Sequence, residues 1–240
     1  LNAEEAYQAY PGLTTSVTRA AVDIGARPVY ISSDWVMDGQ SHMEPETSFG
    51  RPINTYGFLK ALGEQVVRDL APATGVICRI GGVMGHHQLQ ASMPRSQDVG
   101  FGYFVAALVE ALQAGESFRV FSGEGVNQVA TPSLPAEIGA TILRILGVGA
   151  TGHFHVVSDN AVTRRELAEL TCEVFELDPA LIVEGPPSDD QKFAEPVPVD
   201  TSLSNHRLHE DLGIGPVPLR GLLEALRAES DGRLHPLTTP

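Results

Sequence analysis

Stretches in which apolar residues fall three and four apart alternate along this chain with short continuous apolar runs, the pattern of helices alternating with buried strands. Residues 17–24 read as a helix closed by Gly25, a residue suited to a left-handed cap. Residues 28–33 are rich in Val and Ile between turn signals and read as a strand. Thr55–Leu70 sets Leu59, Leu62, Val66, Val67 and Leu70 at helical spacing, and residues 75–80 read as a buried strand. Helix and strand in alternation predict parallel βαβ units and an α/β fold.

The pattern continues more loosely. Residues 81–102, rich in Gly, His, Gln and Ser without periodicity, are expected to form a long loop over a site. A helix over 101–114 and a short strand at Phe118–Phe121 follow. Residues 133–146 read as a helix with Ser133 as its cap and Pro135 and Glu137 in its first turn. A strand over 152–157 precedes a helix over 163–175, where Thr163 and Glu166 have the spacing of a capping box. Residues 184–200 are Pro- and Asp-rich and read as loop, 203–212 and Leu219–Glu229 as short helices, and the tail from Ser230 as frayed. The sequence contains no internal repeat.

Composition narrows the field. The 240 residues are 42% hydrophobic, ordinary for a globular chain, and no apolar run reaches the ~18 residues a membrane span needs. Thirty acids against 16 bases give a net charge of −14, which argues against nucleic acid or an anionic membrane as partner. Any anionic ligand would need local cations, for which Lys60, Arg79, Arg95, Lys192 and Arg207 are the candidates. Cys78 and Cys172 are far apart, without metal-ligand neighbours, and are expected to pack in the core of a cytoplasmic protein. His86-His87 lack an acid or cysteine at ligand spacing, so no metal site is expected.

The chemistry is concentrated in Tyr56-Gly57-Phe58-Leu59-Lys60. Residues four apart share a helix face, so Tyr56 and Lys60 are expected side by side. An ammonium there would lower the phenol pKa toward the working range and make Tyr56 a proton donor and acceptor. Ser33, ending the earlier strand, offers a hydroxyl to hold a carbonyl oxygen. The same pair also describes a half-buried tyrosine beside a solvated lysine, and the surrounding text decides between the two. The run 29–39, Val-Tyr-Ile-Ser-Ser-Asp-Trp-Val-Met-Asp-Gly, leads to Pro52-Ile53-Asn54-Thr55-Tyr56-Gly57. Together these resemble the extended short-chain dehydrogenase/reductases, and within them the dTDP-4-dehydrorhamnose reductase (RmlD-like) group, whose strand ending Ser-Thr-Asp-Tyr-Val-Phe-Asp-Gly precedes Pro-x-Asn-x-Tyr-Gly-x-x-Lys.

The resemblance implies a Rossmann-like parallel sheet with a smaller mixed C-terminal substrate lobe. Residues 1–83 and 131–158 would belong to an NAD(P)-binding domain, 84–130 and 159–229 to the substrate lobe, and 230–240 to a tail. It implies Tyr56 as general acid, assisted by Lys60 and Ser33. Ser32, Ser33, Tyr56, Lys60, Arg79 and Gly81 would bind NADP or NAD, while Asp34, Trp35, Gly82, Asn127 and Gln128 would face a sugar nucleotide. A homodimer is compatible with it. Three positions depart from the group: Gly82 replaces its Trp, Trp35 its Tyr, and Glu195-Pro196 its Arg-Pro. All three lie on the substrate side.

The glycine-rich strand-turn-helix of a dinucleotide site is not found before Tyr56. The Gly-x-Gly-x-x-Gly at 147–152 runs from helix to strand, the wrong order for a phosphate loop. The chain is therefore expected to be a piece of a longer reading frame or a shortened natural product. Two other uses of the scaffold remain open. One is a non-catalytic regulatory subunit, as serves methionine adenosyltransferase. The other is sugar-nucleotide epimerase or dehydratase chemistry, the latter disfavoured because Ser33-Asp34-Trp35 lacks the usual Glu.

Overall fold

The computed structural model describes residues 2–85 and 97–230; the predicted loop histidines His86-His87, Arg95 and the tail from residue 231 lie outside them. Asn2 and Glu5 cap α1 (Ala3–Tyr7) reciprocally, at 2.9 and 3.1 Å. The chain runs through a wide turn, Gln8–Gly12, that accommodates Pro11, and on into α2 (Leu13–Asp23). The helix predicted over 17–24 is thus the end of a longer run, because Pro11 widens the helix without ending it. After β1 (Val29–Ser33) and a 3₁₀ turn at Asp34–Val36 come α3 (Thr55–Leu70) and β2 (Val76–Ile80). Next are α4 (Phe104–Gln113), β3 (Phe118–Phe121), β4 (Val129–Ala130), α5 (Pro135–Gly147) and β5 (Gly152–His155). The chain ends with β6 (Val162–Thr163), α6 (Arg164–Phe175), β7 (Ile182–Gly185), α7 (His206–Glu210) and α8 (Leu219–Glu229).

The main sheet has the order β1-β2-β5 and is parallel throughout, with Val29 opposite Val76 and Val76 opposite Gly152. This is the α/β, Rossmann-like architecture expected. Two small pairs were not anticipated: β3 with β7, parallel, and β4 with β6, antiparallel. Strands of two to four residues carry too little periodicity to be read from sequence, and β7 takes Glu184 and Gly185 out of the predicted loop. Ser133 is not the cap of α5. Its hydroxyl donates to the Gly81 carbonyl at 2.7 Å, tying the end of β2 to the start of α5.

α3 lies against the sheet closely enough that a β-carbon on Gly63 would sit 2.2 Å from the Tyr30 hydroxyl, and one on Gly57 2.1 Å from the Trp35 carbonyl. Glycine costs a helix about 1 kcal/mol relative to alanine, and here it permits the close approach. One buried ion pair crosses this seam. Glu64 on α3 receives Arg79 of β2 through two nitrogens, both at 2.8 Å, and the Ser32 hydroxyl of β1 at 2.7 Å. The rest of Arg79 goes to the Ser48 carbonyl and to His155, whose Nδ1 donates to the Ser204 carbonyl and whose Nε2 therefore accepts. Burial holds His155 down to about 3, and it is a neutral imidazole.

On the other face of the sheet, Val76, Cys78 and Phe154 pack with Ile145, Leu208 and Leu212. The largest apolar cluster joins α4, α6 and α8 through Phe104, Leu108, Leu167, Leu223 and Leu226, with Cys172 among them. Both cysteines are free and buried, as expected. Among the described residues no helix is long and apolar enough to cross a membrane.

β1 is an edge strand with Ile31 36% exposed, and α2 beside it shows Leu13, Val17 and Ile24 at 59, 57 and 81%. An unpaired strand edge next to an apolar helix stripe is a template for association. The 240-residue chain is expected to self-associate through this face. Sedimentation velocity should show species above monomer that Val17→Lys with Ile31→Lys removes; a monodisperse wild-type monomer would contradict this.

Candidate active site

A cleft of about 450 Å³ opens at the carboxyl ends of β1 and β2, the ligand position of open parallel sheets. Ser33, Asp34, Trp35, Tyr56 and Gly82 line it, five of the residues singled out from sequence. The backbone turns sharply after β1 because the Ser33 hydroxyl accepts from the Trp35 amide at 3.1 Å and caps the 3₁₀ turn. Asn54 caps α3 by accepting from the Gly57 amide at 2.8 Å, and this cap sets Tyr56 in the first helical turn. The 193–196 segment braces the same end: Glu195 accepts from the Thr55 amide at 2.5 Å, and Asn54 donates to the Pro196 carbonyl at 3.0 Å. Glu195, where the family pattern has arginine, therefore stabilises the positive end of α3.

Three polar side chains converge in the cleft. The Ser33 hydroxyl donates to Asp34 at 2.9 Å, and the Tyr56 phenol stands on the same cleft, close enough for Ser33 and Asp34 both to act on its titration. Burial pushes the Asp34 carboxyl up to about 6, against the lowering effect of the Thr201, Ser33 and Trp35 hydrogen bonds. Burial also raises the Tyr56 phenol, with the Asp34 charge adding to it and the Ser33 hydrogen bond opposing it. This corrects the expected lowering by Lys60. The lysine donates to the Ile31 carbonyl at 2.5 Å and stands over the Tyr30 ring, 4.8 Å from its centre. Burial lowers Lys60 itself, with Glu64 opposing. A raised phenol stays protonated at neutral pH, the state a proton donor needs.

Four expected contacts are turned away from the cleft. Arg79 is fully buried and committed to Glu64, Ser48 and His155, and Ser32 is spent on Glu64, so both side chains face the protein interior. Asn127 is fully buried and donates to the Pro198 carbonyl and the Thr201 hydroxyl, at 3.0 and 2.9 Å. Gln128 bonds the nearby carbonyls of Gly123 and Val126 at 3.3 and 3.5 Å. These side chains shape the walls from behind because buried donors must be satisfied inside the protein. Gly81 is likewise buried, its amide and carbonyl both bonded to the Ser133 hydroxyl. Of the candidate cations, Lys192 pairs with Asp189 and Arg207 with Asp211, while Lys60 is one helical turn from Tyr56.

The other walls were not foreseen. Val83, Asp98, Gly100, Phe101, Gly102 and Phe193 complete the lining. Trp35 packs edge-on between Tyr56 and Phe193, with ring centres 6.1 and 6.0 Å apart, and its indole lies so close to Gly100 that a β-carbon there would be 3.0 Å away. Gly82 has φ of +45°, a left-handed conformation that disfavours any side chain. The aromatic surface lost at Gly82 is thus supplied by Trp35, Phe101 and Phe193. Glu64 was the one missed residue with a sequence signal: it is four positions beyond Lys60, on the face that Tyr56 and Lys60 share. No cluster of three or more metal-ligating side chains occurs among the described residues.

Comparison with known proteins agrees with this geometry. The family model for the RmlD substrate binding domain matches residues 1–230. A probable low-salt glycan biosynthesis reductase, Agl14, of Haloferax volcanii is 34% identical over 202 residues, covering 83% of this chain and 62% of that protein. A dTDP-4-keto-6-deoxy-D-glucose reductase of Streptomyces niveus is 30% identical over 196 residues, covering 81% of this chain and 62% of that protein. The chain thus spans about three-fifths of the length of these relatives. The crystal structure of a dTDP-4-dehydrorhamnose reductase from Bacillus anthracis str. Ames, in complex with NADP, shares the fold with a TM-score of 0.72 at 22% identity, over 90% of this chain and 70% of that one.

Because the Asp34 carboxyl is raised in the folded state, the folded chain holds a proton that the unfolded chain has lost between about pH 4 and 6, and stability falls as pH rises through that window. Asp34→Asn removes the penalty. The variant is expected to be up to about 3 kcal/mol more stable at pH 7.5 and equal to the parent near pH 4. Thermal unfolding across that range checks this, and a difference independent of pH would refute it.

Proposed function

Because this chain belongs to the RmlD substrate-binding-domain family, we propose that its cleft serves the reduction of the keto group of a nucleotide-linked sugar by NADPH or NADH. The observation that carries the reading is the convergence of Ser33, Asp34 and Tyr56 on one cleft with aromatic walls, with Ser33 hydrogen-bonded to Asp34. A reduced nicotinamide, when bound, supplies the hydride to the carbonyl carbon. Tyr56 gives its phenolic proton to the carbonyl oxygen, so that C=O becomes CH–OH. Ser33, on the same cleft, would hold that oxygen, and Asp34, to which it is bonded, orients the hydroxyl.

The residues present fit such a cofactor. An ammonium has three donors, and Lys60, one helical turn from Tyr56, gives one of them to Ile31, which suits it to a ribose diol. The division of the chain into residues 1–83 and 131–158 on the cofactor side, and 84–130 and 159–229 on the substrate side, belongs to this proposal. So does a sugar nucleotide as partner. Trp35, Phe101 and Phe193 give a ring-binding wall different from one built on a tryptophan at position 82. Weak turnover of dTDP-4-dehydrorhamnose relative to another 4-keto sugar nucleotide follows from that shape.

In the full reading frame, Tyr56→Phe is expected to lower kcat roughly a hundredfold or more while cofactor affinity and melting temperature hold, as loss of a general acid predicts. An unchanged kcat would remove Tyr56 from the reaction. Absence of turnover on every 4-keto sugar nucleotide tried, with tight nucleotide binding, would favour the non-catalytic use of the scaffold. Turnover of dTDP-4-dehydrorhamnose with kcat/KM of about 10⁴ M⁻¹s⁻¹ or more would overturn the altered-wall argument.

A further inference from the structure

We infer that Arg164 is a positioning residue that holds one wall of the cleft and thereby sets which sugar nucleotide is accepted, an inference that rests on the proposed function for its substrate and on geometry alone for its structural part. Arg164 is 1% exposed, and the Asp98 charge acts on it in favour of the cation. Its guanidinium is used on oxygens of two chain segments. Nε donates to the Asn127 carbonyl at 2.7 Å, one terminal nitrogen to the Gln97 side chain at 3.3 Å, and the other to the Asp98 carbonyl at 3.1 Å and to the Gly100 carbonyl. The cation also lies over the rings of Phe101, Phe104 and Phe121, 4.7, 5.5 and 5.9 Å from their centres.

These contacts end on the cleft. Asp98, Gly100, Phe101 and Gly102 line it, and Gly100 is the residue on which the Trp35 indole rests. The segment 97–100 has no helix or strand of its own, so its inward carbonyls need donors from elsewhere. A planar guanidinium with five donors in a fixed fork meets several carbonyls at defined angles; an ammonium does not. Burying the charge is costly, and the desolvation lowers Arg164 to about 10, still protonated at neutral pH. Its placement is fixed locally. The Thr163–Glu166 capping box starts α6, β4–β6 pairing sets Thr163 opposite Val129, and the Arg164 amide donates to the Gln128 carbonyl at 3.2 Å.

Arg164→Lys keeps the charge and loses the fork, and Arg164→Gln loses both while keeping two donors. In whichever variant retains a cooperative thermal transition, amide hydrogen exchange of residues 98–102 should speed up about tenfold or more, while β1, β2 and α3 keep their protection. With the full reading frame, KM for the 4-keto sugar nucleotide should rise about tenfold, kcat should change much less, affinity for NADPH should hold, and the ratio of kcat/KM between two such substrates should shift. Unchanged exchange at 98–102 in a folded variant would overturn the clamp. Faster exchange with KM and substrate ratio unchanged would overturn its role in selection. If the parent protein turns over no sugar nucleotide, the reductase reading fails, and the exchange result still decides whether Arg164 holds the wall.

Discussion

The geometry of the cleft depends on one buried ion pair. Glu64 on α3 and Arg79 on β2 meet through two hydrogen bonds of 2.8 Å, with Ser32 of β1 as a third partner of the same carboxylate. Three separate elements are thereby pinned at one point on the sheet face. Burial acts against the Glu64 charge, yet the Arg79 and His153 bonds hold the carboxyl well below the usual range, so the pair is ionic at any neutral pH. Removing one member of such a pair leaves an unpaired buried charge, which costs several kcal/mol. Glu64, Lys60 and Tyr56 are spaced four apart on α3, so fixing Glu64 fixes the rotation of the helix and with it the distance from Tyr56 to Ser33.

Around that pin the cleft is assembled from pieces far apart in sequence. The 3₁₀ turn after β1 brings Asp34 and Trp35, the first turn of α3 brings Tyr56, and the segment 98–102 brings the opposite wall. Glu195 and Pro196 reach back to the start of α3, and Thr201 reaches Asp34. The buried Asp34 is a destabilising choice at neutral pH, of the kind that collects at functional sites. Overall charge and local need are reconciled in the same way. A chain of net charge −14 keeps the Lys60 ammonium one helical turn from Tyr56, bonded to the Ile31 carbonyl.

Much of the site was legible in the sequence where adjacent residues act on one another. The limits of α3 at Thr55–Leu70, the strands before and after it and the Thr163–Glu166 capping box all came from spacing within a few residues. The Tyr56–Lys60 pair was read in the same way, and Ser33, Asp34, Trp35, Tyr56 and Gly82 do meet at the cleft.

What escaped the sequence was decided by burial, which no local pattern reports. Arg79 and Ser32 carried the chemistry of ligand contacts but face inward to Glu64, and Asn127 turns its donors to Pro198 and Thr201. The Tyr56 phenol moves up and not down because desolvation outweighs a lysine whose contacts lie with Ile31 and Tyr30. The strands β4, β6 and β7 exist only through partners some 30 to 60 residues away, as the pairing of Val129 with Thr163 and of Phe118 with Ile182 shows. The sequence by itself determined the longer helices, the Thr163–Glu166 cap and the residues able to do the chemistry, since those follow from interactions over a single turn. The tertiary structure alone decided which of them face the cleft and in what protonation state, since desolvation and long-range hydrogen bonds arise only when distant segments pack together.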